Sequence, residues 1–205
     1  MSPDPFTLQI IRNYLVATAQ EMVDTTARTA YSPTFSEGHD FSCALFDTGG
    51  RMILQSRGVG IHLGSLVGAM AAIRDRYKVF AEGDIVMTNN PYIATHQSDV
   101  VVCRPMFHRG TRVGFAVNIG HWTDIGAMAP GGCAGTSTHV VQDGLLIPVC
   151  KLYDAGRLVP EIRDFILENV RLPEDDWGDL QSQIAATIAA EARRRRRGFR
   201  RSGRA

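Results

Sequence analysis

The sequence predicts a mixed α+β (α/β) domain in which long helices flank a central mixed or antiparallel sheet. Three observations carry that prediction. An uninterrupted helical period runs over residues 6–31, several short extended runs lie between residues 40 and 152, and helical spacing returns after Pro160. Composition agrees: the chain of 205 residues is 44% hydrophobic and 21% charged, as an ordinary folded domain is, and long enough for one core.

The first helix places Leu8, Ile11, Leu15, Ala19, Met22, Val23, Ala27 and Ala30 at helical spacing, with Pro5 just before it and Pro33 just after. Asp40–Asp47 and Arg51–Gln55 read as two strands around a glycine turn at Gly49-Gly50. Residues 62–78 return to helical spacing through Leu63, Leu66, Val67, Met70, Ile73 and Tyr77. A short strand, 84–88, runs into turn chemistry at Asn89-Asn90-Pro91-Tyr92. Strands 100–107 and 112–118 are joined by His108-Arg109-Gly110, and a loop of small residues extends from Gly120 to about Thr138. Residues 145–152 read as extended, Pro160 opens a helix to about Asn169, and 178–192 is a last helical stretch. There is no internal repeat and no interdomain linker, so residues 1–192 form one unit.

The end of the chain changes character abruptly. Eight of the 22 basic residues follow Ala192 and none of the 21 acids do, so residues 1–192 carry 14 basic against 21 acidic groups, a net of −7. An acidic body is the wrong partner for nucleic acid. Residues 193–205 read as a solvated, disordered or out-of-frame arginine tail. No apolar run reaches the roughly 18–20 residues that cross a bilayer, and the N-terminus lacks a basic region followed by an apolar one, so a cytoplasmic protein without membrane contact is expected. The four cysteines are too far apart for a zinc ribbon; Cys43, Cys103 and Cys150 sit in apolar runs as small hydrophobes, and Cys133 reads as an exposed loop thiol.

The chemistry concentrates in Thr95-His96-Gln97-Ser98-Asp99 and Gly120-His121-Trp122-Thr123-Asp124. If 100–107 and 112–118 pair as a hairpin, the start of the first strand and the end of the second meet at one sheet edge. That brings His121 beside His96 and Asp99. Two imidazoles and a carboxylate, with positions left open, suit a catalytic divalent ion such as Mn²⁺, Fe²⁺ or Zn²⁺ better than a closed structural site. Asp124 reads as a fourth ligand or as a group orienting a histidine, and Thr95 as a neighbour of the ligands. Asn89, Asn90 and Tyr92 read as shaping the approach. The plain alternative is that these histidines cap loops or satisfy buried backbone groups. His62 reads as a helix cap or pocket residue, His39 and His108 as loop and hairpin-turn residues, and His139 as a candidate liner of the 120–138 loop. No phosphate loop of the GxxxxGK(S/T) or GxGxxG kind is present, nor a GxSxG elbow.

Seven strings then occur in order: Asp40-Phe-Ser-Cys-Ala-Leu-Phe-Asp47, Ile61-His-Leu-Gly64, Thr88-Asn-Asn-Pro-Tyr92, Thr95-His-Gln-Ser-Asp99, Gly120-His-Trp-Thr-Asp-Ile-Gly126, Gln142-Asp-Gly-Leu-Leu-Ile-Pro148, and Glu168-Asn-Val-Arg171 with Gly178-Asp-Leu180. This set resembles the hydantoinase B / 5-oxoprolinase family, which includes the large subunits of acetone- and acetophenone-type carboxylases. The resemblance spans about residues 6–190 and implies several things. The chain corresponds to the N-terminal portion of a much longer subunit, an incomplete hydantoinase B-type domain. ATP is handled by a hydantoinase A-like partner. The reaction is ATP-dependent opening of a small cyclic amide such as N-methylhydantoin or 5-oxoproline, or carboxylation of a ketone. In the carboxylase branch a His-x-x-Asp pair and a later histidine hold a metal, and those positions fall on His96, Asp99 and His121. Trp122 stands where the family often has a second histidine. Two other readings stay open: an inactive truncated product, and a non-haem iron oxygenase, which shares the two-His-one-carboxylate set but not the motif order or a jelly-roll pattern.

Overall fold

Asp4 starts the first helix by accepting the Thr7 N–H at 3.0 Å, and Pro5, which has no N–H to lose, occupies the first turn of α1 (Pro5–Thr29). Ser32 and Pro33 repeat the device for α2 (Pro33–Ser36), a single turn that periodicity over so few residues cannot reveal. The chain continues through β1 (Phe41–Phe46), β2 (Met52–Gln55), α3 (His62–Arg76), β3 (Ile85–Thr88), β4 (Asp99–His108) and β5 (Thr111–His121). After a long loop with a 3-10 turn at Val140–Asp143 come β6 (Cys150–Asp154), β7 (Arg157–Leu158), α4 (Pro160–Leu167) and α5 (Pro173–Arg201). This computed structural model describes residues 4–201 apart from Arg57 and Cys133, with the side chains of Leu63 and of 194–201 also outside the described set. The readings of a Cys133 thiol, of Leu63 in the apolar face and of residues 202–205 fall outside it.

The strands form one seven-stranded sheet in the order β2-β1-β5-β4-β3-β6-β7, and every neighbouring pair is antiparallel. Strand alternation sends side chains to two cores. On one face Cys43, Leu45, Val100, Val102 and Ala116 pack with Met22 of α1 and Leu180 and Ile184 of α5. On the other, Ala44, Phe46, Val101, Cys103, Phe115 and Val117 pack with Leu66, Met70 and Ile73 of α3. The sheet is therefore covered on both sides, which explains why β1 and the middle of β4 are buried at every position and read as continuous apolar runs.

Several expectations on element limits change. Leu8 and Ile11 are 50% and 47% exposed, because α1 meets the body only from Tyr14 onward; among the described residues the helical period before Tyr14 packs on no other element. Val67 faces solvent on α3. Of the extended 145–152 run only residues 150–152 join the sheet, in β6, which continues to Asp154; Leu145 and Ile147 are instead held by Ile125 O and Asn89 Oδ1. The last helix begins at Pro173, with Glu174, Asp175 and Asp176 in its positive first turn, and its backbone stays helical through the arginine run to Arg201. Among the described residues no helix is long and apolar enough to cross a membrane.

Candidate metal centre

Hairpin register builds the site. Arg109 and Gly110, at φ 51 and 75, form a turn whose positive-φ pair matches strand twist, so β4 and β5 pair along their whole length. At the open end Asp99, the first residue of β4, stands opposite His121, the last of β5. The Trp122 N–H donates to Ser98 O at 2.8 Å and the Asp99 N–H to His96 O at 3.0 Å, which folds the 96–98 turn back over this edge. From the β1 side the His121 N–H donates to Asp40 O at 3.0 Å.

Three side chains converge there. Asp99 Oδ1 lies 3.4 Å from His121 Nδ1, and Asp99 Oδ2 lies 3.5 Å from His96 Nδ1. One ligand atom from each of the three lies within 4.8 Å of the others, and among the described residues this is the group so arranged. Ligand atoms bound at about 2.1 Å to one tetrahedral ion would sit about 3.4 Å apart. The imidazoles of His96 and His121 meet edge-on with centroids 4.8 Å apart. His96 Nδ1 and Asp99 Oδ1 are buried without a hydrogen-bond partner, so two polar atoms face inward to the group with lone pairs unused. That donor set fits a divalent cation.

Burial works to raise the Asp99 pKa, yet the imidazoles of His121, His62 and His96 outweigh it and hold the carboxyl at about 2. In return the Asp99 carboxylate raises His121 against its burial, with Asp40 adding to the effect. Thr95 Oγ1 donates to Asp99 Oδ2.

The remaining expected residues take distinct places. Asn89, fully buried, donates to Gln97 O at 2.6 Å and Leu145 O at 2.8 Å and accepts from the Ile147 N–H at 2.6 Å. It ties the end of β3 to the turn that carries His96. Asn90 Oδ1 accepts the Tyr92 N–H at 3.0 Å in a local turn, and Tyr92 itself is 80% exposed. Asp124 accepts from the N–H groups of Gly126 at 2.7 Å and Gly131 at 3.2 Å and pairs with Arg171 at 2.9 Å. Burial opposes that charge, but these N–H groups and the Arg171 guanidinium lower its pKa. Its hydrogen bonds thus fold the 120–131 loop onto the segment before α5, and none goes to an imidazole. His139 is exposed on the rim of the 3-10 turn.

His62 lies beside the group. It is 1% exposed, its Nε2 lies 3.5 Å from Asp99 Oδ1, and its Nδ1 lies 3.1 Å from Ser42 Oγ. Spacing ties it to nothing at Asp99. Its one sequence signal is its place in the Ile61-His-Leu-Gly64 string.

The family model for hydantoinase B/oxoprolinase matches residues 4–203. The chain belongs to that family. The beta subunit of the caprolactamase of Pseudomonas jessenii is 36% identical over 190 residues, covering 92% of this chain and 33% of that protein. The B component of a putative D-/L-hydantoinase from a Pseudomonas species is 35% identical, with 89% and 32% covered. The 5-oxoprolinase of Dictyostelium discoideum is 31% identical, with 89% and 15% covered. Among solved structures, the ATP-dependent caprolactamase of P. jessenii superposes with a TM-score of 0.91 at 35% identity, over 98% of this chain and 35% of that one. Nucleotide-free acetone carboxylase shares the fold at a TM-score of 0.87 and 22% identity, over 94% of this chain and 26% of that one. This hydantoinase B-type chain therefore spans about a third of the length of the caprolactamase relative and corresponds to the N-terminal portion of a longer family member.

Proposed function

We propose that His96, Asp99 and His121 hold one divalent cation (Mn²⁺, Zn²⁺ or Fe²⁺) and that this chain is the metal-bearing portion of an ATP-dependent cyclic-amide hydrolase subunit. The observation that carries the reading is the pair of buried, unpartnered atoms, His96 Nδ1 and Asp99 Oδ1, inside a group whose third member, His121, is fixed by strand register. When bound, such an ion supplies Lewis acidity toward a substrate carbonyl.

The chain's own residues do the rest. Asp99, ionised throughout the physiological range, balances the ion's charge, and Thr95 holds Oδ2 in place. His96, the most exposed of the three, stands between the group and a cleft of about 370 Å³ lined also by Gln97, Ser98, Ala134, Ser137 and Asp143. A small cyclic amide entering that cleft meets the metal-binding group at His96, while Asn89 keeps the Gln97 turn from moving away. Trp122, buried and hydrogen-bonded through Nε1 to Gln183 at 3.0 Å, fixes the chain immediately after His121. ATP is handled by a hydantoinase A-like partner, a reading supported by the multi-subunit naming of the caprolactamase and hydantoinase relatives.

The test is elemental analysis of the purified chain beside a His96→Ala/His121→Ala variant. Near-stoichiometric metal in the first and none in the second, with matching circular dichroism, is expected. A well-folded parent without metal after exposure to Mn²⁺, Zn²⁺ and Fe²⁺ would sink the reading.

A further inference from the structure

Ser42, His62 and Asp99 form a buried line from the middle of the sheet to the candidate metal centre. Ser42, on β1, and His62, at the first position of α3, are 0% and 1% exposed, and Asp99 is 1% exposed. The Val59 N–H donates to Ser42 Oγ at 3.1 Å, which uses the hydroxyl as an acceptor. His62 Nδ1 lies 3.1 Å from the same oxygen. Among the described residues Ser42 Oγ has no other hydrogen-bond partner, so the acceptor for its proton is Nδ1. A Nδ1 that accepts leaves the neutral imidazole's hydrogen on Nε2, and Nε2 lies 3.5 Å from Asp99 Oδ1, in electrostatic contact but outside hydrogen-bond geometry.

We infer that His62 is a positioning residue for the metal-binding carboxylate: its Nε2–H edge, fixed by Ser42, attracts Asp99 Oδ1 electrostatically across 3.5 Å and holds the carboxylate in its ligating orientation. Thr95 steadies the other oxygen, Oδ2, by a hydrogen bond. Oδ2 then carries a hydrogen bond from Thr95, while Oδ1 is held by the nearby imidazole edge alone and keeps its lone pairs for an ion. The arrangement inverts the usual pattern in which a carboxylate orients a ligating histidine. His62 stays outside the ligand group, since the atoms that cluster are those of His96, Asp99 and His121. The alternative tautomer, with the hydrogen on Nδ1, would leave the Ser42 hydroxyl proton without an acceptor in a dry interior, and would set a lone pair of Nε2 against the lone pairs of Oδ1.

This inference rests on the metal reading of the group and adds a residue to it. Its test is Zn²⁺ affinity of the full chain, measured by competition with a chelating indicator, for wild type, His62→Leu, His62→Gln and His96→Ala, with folding followed by circular dichroism. His62→Leu fills the space without a donor and is expected to weaken Zn²⁺ about 10- to 100-fold. His62→Gln, whose carboxamide N–H can take the place of Nε2–H, is expected to recover most of that loss. Long-range ¹H–¹⁵N correlation on the metal-free wild type reads the tautomer directly, whatever the variants do, and is expected to show the hydrogen on Nε2. Equal Zn²⁺ affinity in wild type and His62→Leu, or a Nδ1–H tautomer, overturns the assignment. So does a loss in both His62 variants as complete as in His96→Ala, which would make His62 a ligand. Absence of Zn²⁺ binding by folded wild type overturns the metal reading itself, and the tautomer measurement separates the two failures.

Discussion

Asp99 is the residue on which the centre turns, because three neighbouring imidazoles and Thr95 all address one buried carboxylate. Replacing it with Asn keeps the shape but removes the charge, so metal retention should fall at least as far as in His96→Ala while the far-ultraviolet spectrum stays unchanged. A second carboxyl behaves in the opposite sense. Asp176 is fully buried in the first turn of α5, and burial together with Asp124, Asp179 and Asp175 raises its pKa to about 8 against the lowering effect of the Asp124 backbone N–H. A raised folded-state value means that the folded chain binds the proton more tightly than the unfolded one. The stability linked to that proton is complete below about pH 4, declines as pH rises, and is gone above about pH 8. Asp176→Asn should therefore leave the melting temperature nearly unchanged at pH 4 and raise it at pH 8.5, as read by calorimetry at the two pH values. The thiols of Cys43 and Cys150 are inert by comparison: burial pushes them up to about 12 and about 11.

At the scale of elements, the hairpin and its neighbours decide whether the ligands meet. Gly120, one residue before His121, lies so close to the buried ring of Phe35 that a Cβ there would fall 2.2 Å from its Cζ. Gly120→Ala should cost about 1–3 kcal/mol in urea unfolding, as overpacking does, and loosen metal binding by displacing His121. This pairing of Gly120 with Phe35 was not legible in the sequence. A helical turn as short as α2 leaves no period to read, and the contact joins residues far apart in the chain. The hairpin itself was legible, since β4 and β5 are local partners with turn chemistry between them. Asn89 is an intermediate case. Its turn neighbourhood could be read, but its role as a buried link among Gln97, Leu145 and Ile147 could not, because side-chain to backbone bonds of this kind have no periodicity.

At the scale of the whole molecule, two layers of helix protect the sheet and one helix end projects. Phe6, Leu8, Ile10 and Ile11 are 76%, 50%, 43% and 47% exposed on the first turns of α1. Exposed side chains outside the core contribute little to stability, so Leu8→Gln/Ile11→Gln should change the melting temperature by no more than about 0.5 kcal/mol would, while lowering light scattering of concentrated samples. Metal should act globally in the other direction. An ion bound only by the folded chain at about 100 times its dissociation constant adds about 2.7 kcal/mol, so a chelator should lower the melting temperature of wild type and leave His96→Ala/His121→Ala unmoved.

The sequence by itself determined the class of fold, the long helices, the central hairpin, the family, and the convergence of His96, Asp99 and His121 at one sheet edge. These are consequences of local periodicity, turn chemistry and ordered motifs, all of which act over short stretches of chain. The tertiary structure alone decided that the sheet is antiparallel throughout, that α1 leaves its first turns uncovered, and that Asp124 organises a loop with Arg171. It alone also set His62 against Asp99. Those outcomes depend on which surfaces pack and on where buried polar atoms find partners, and a single chain read in order does not encode either as a pattern.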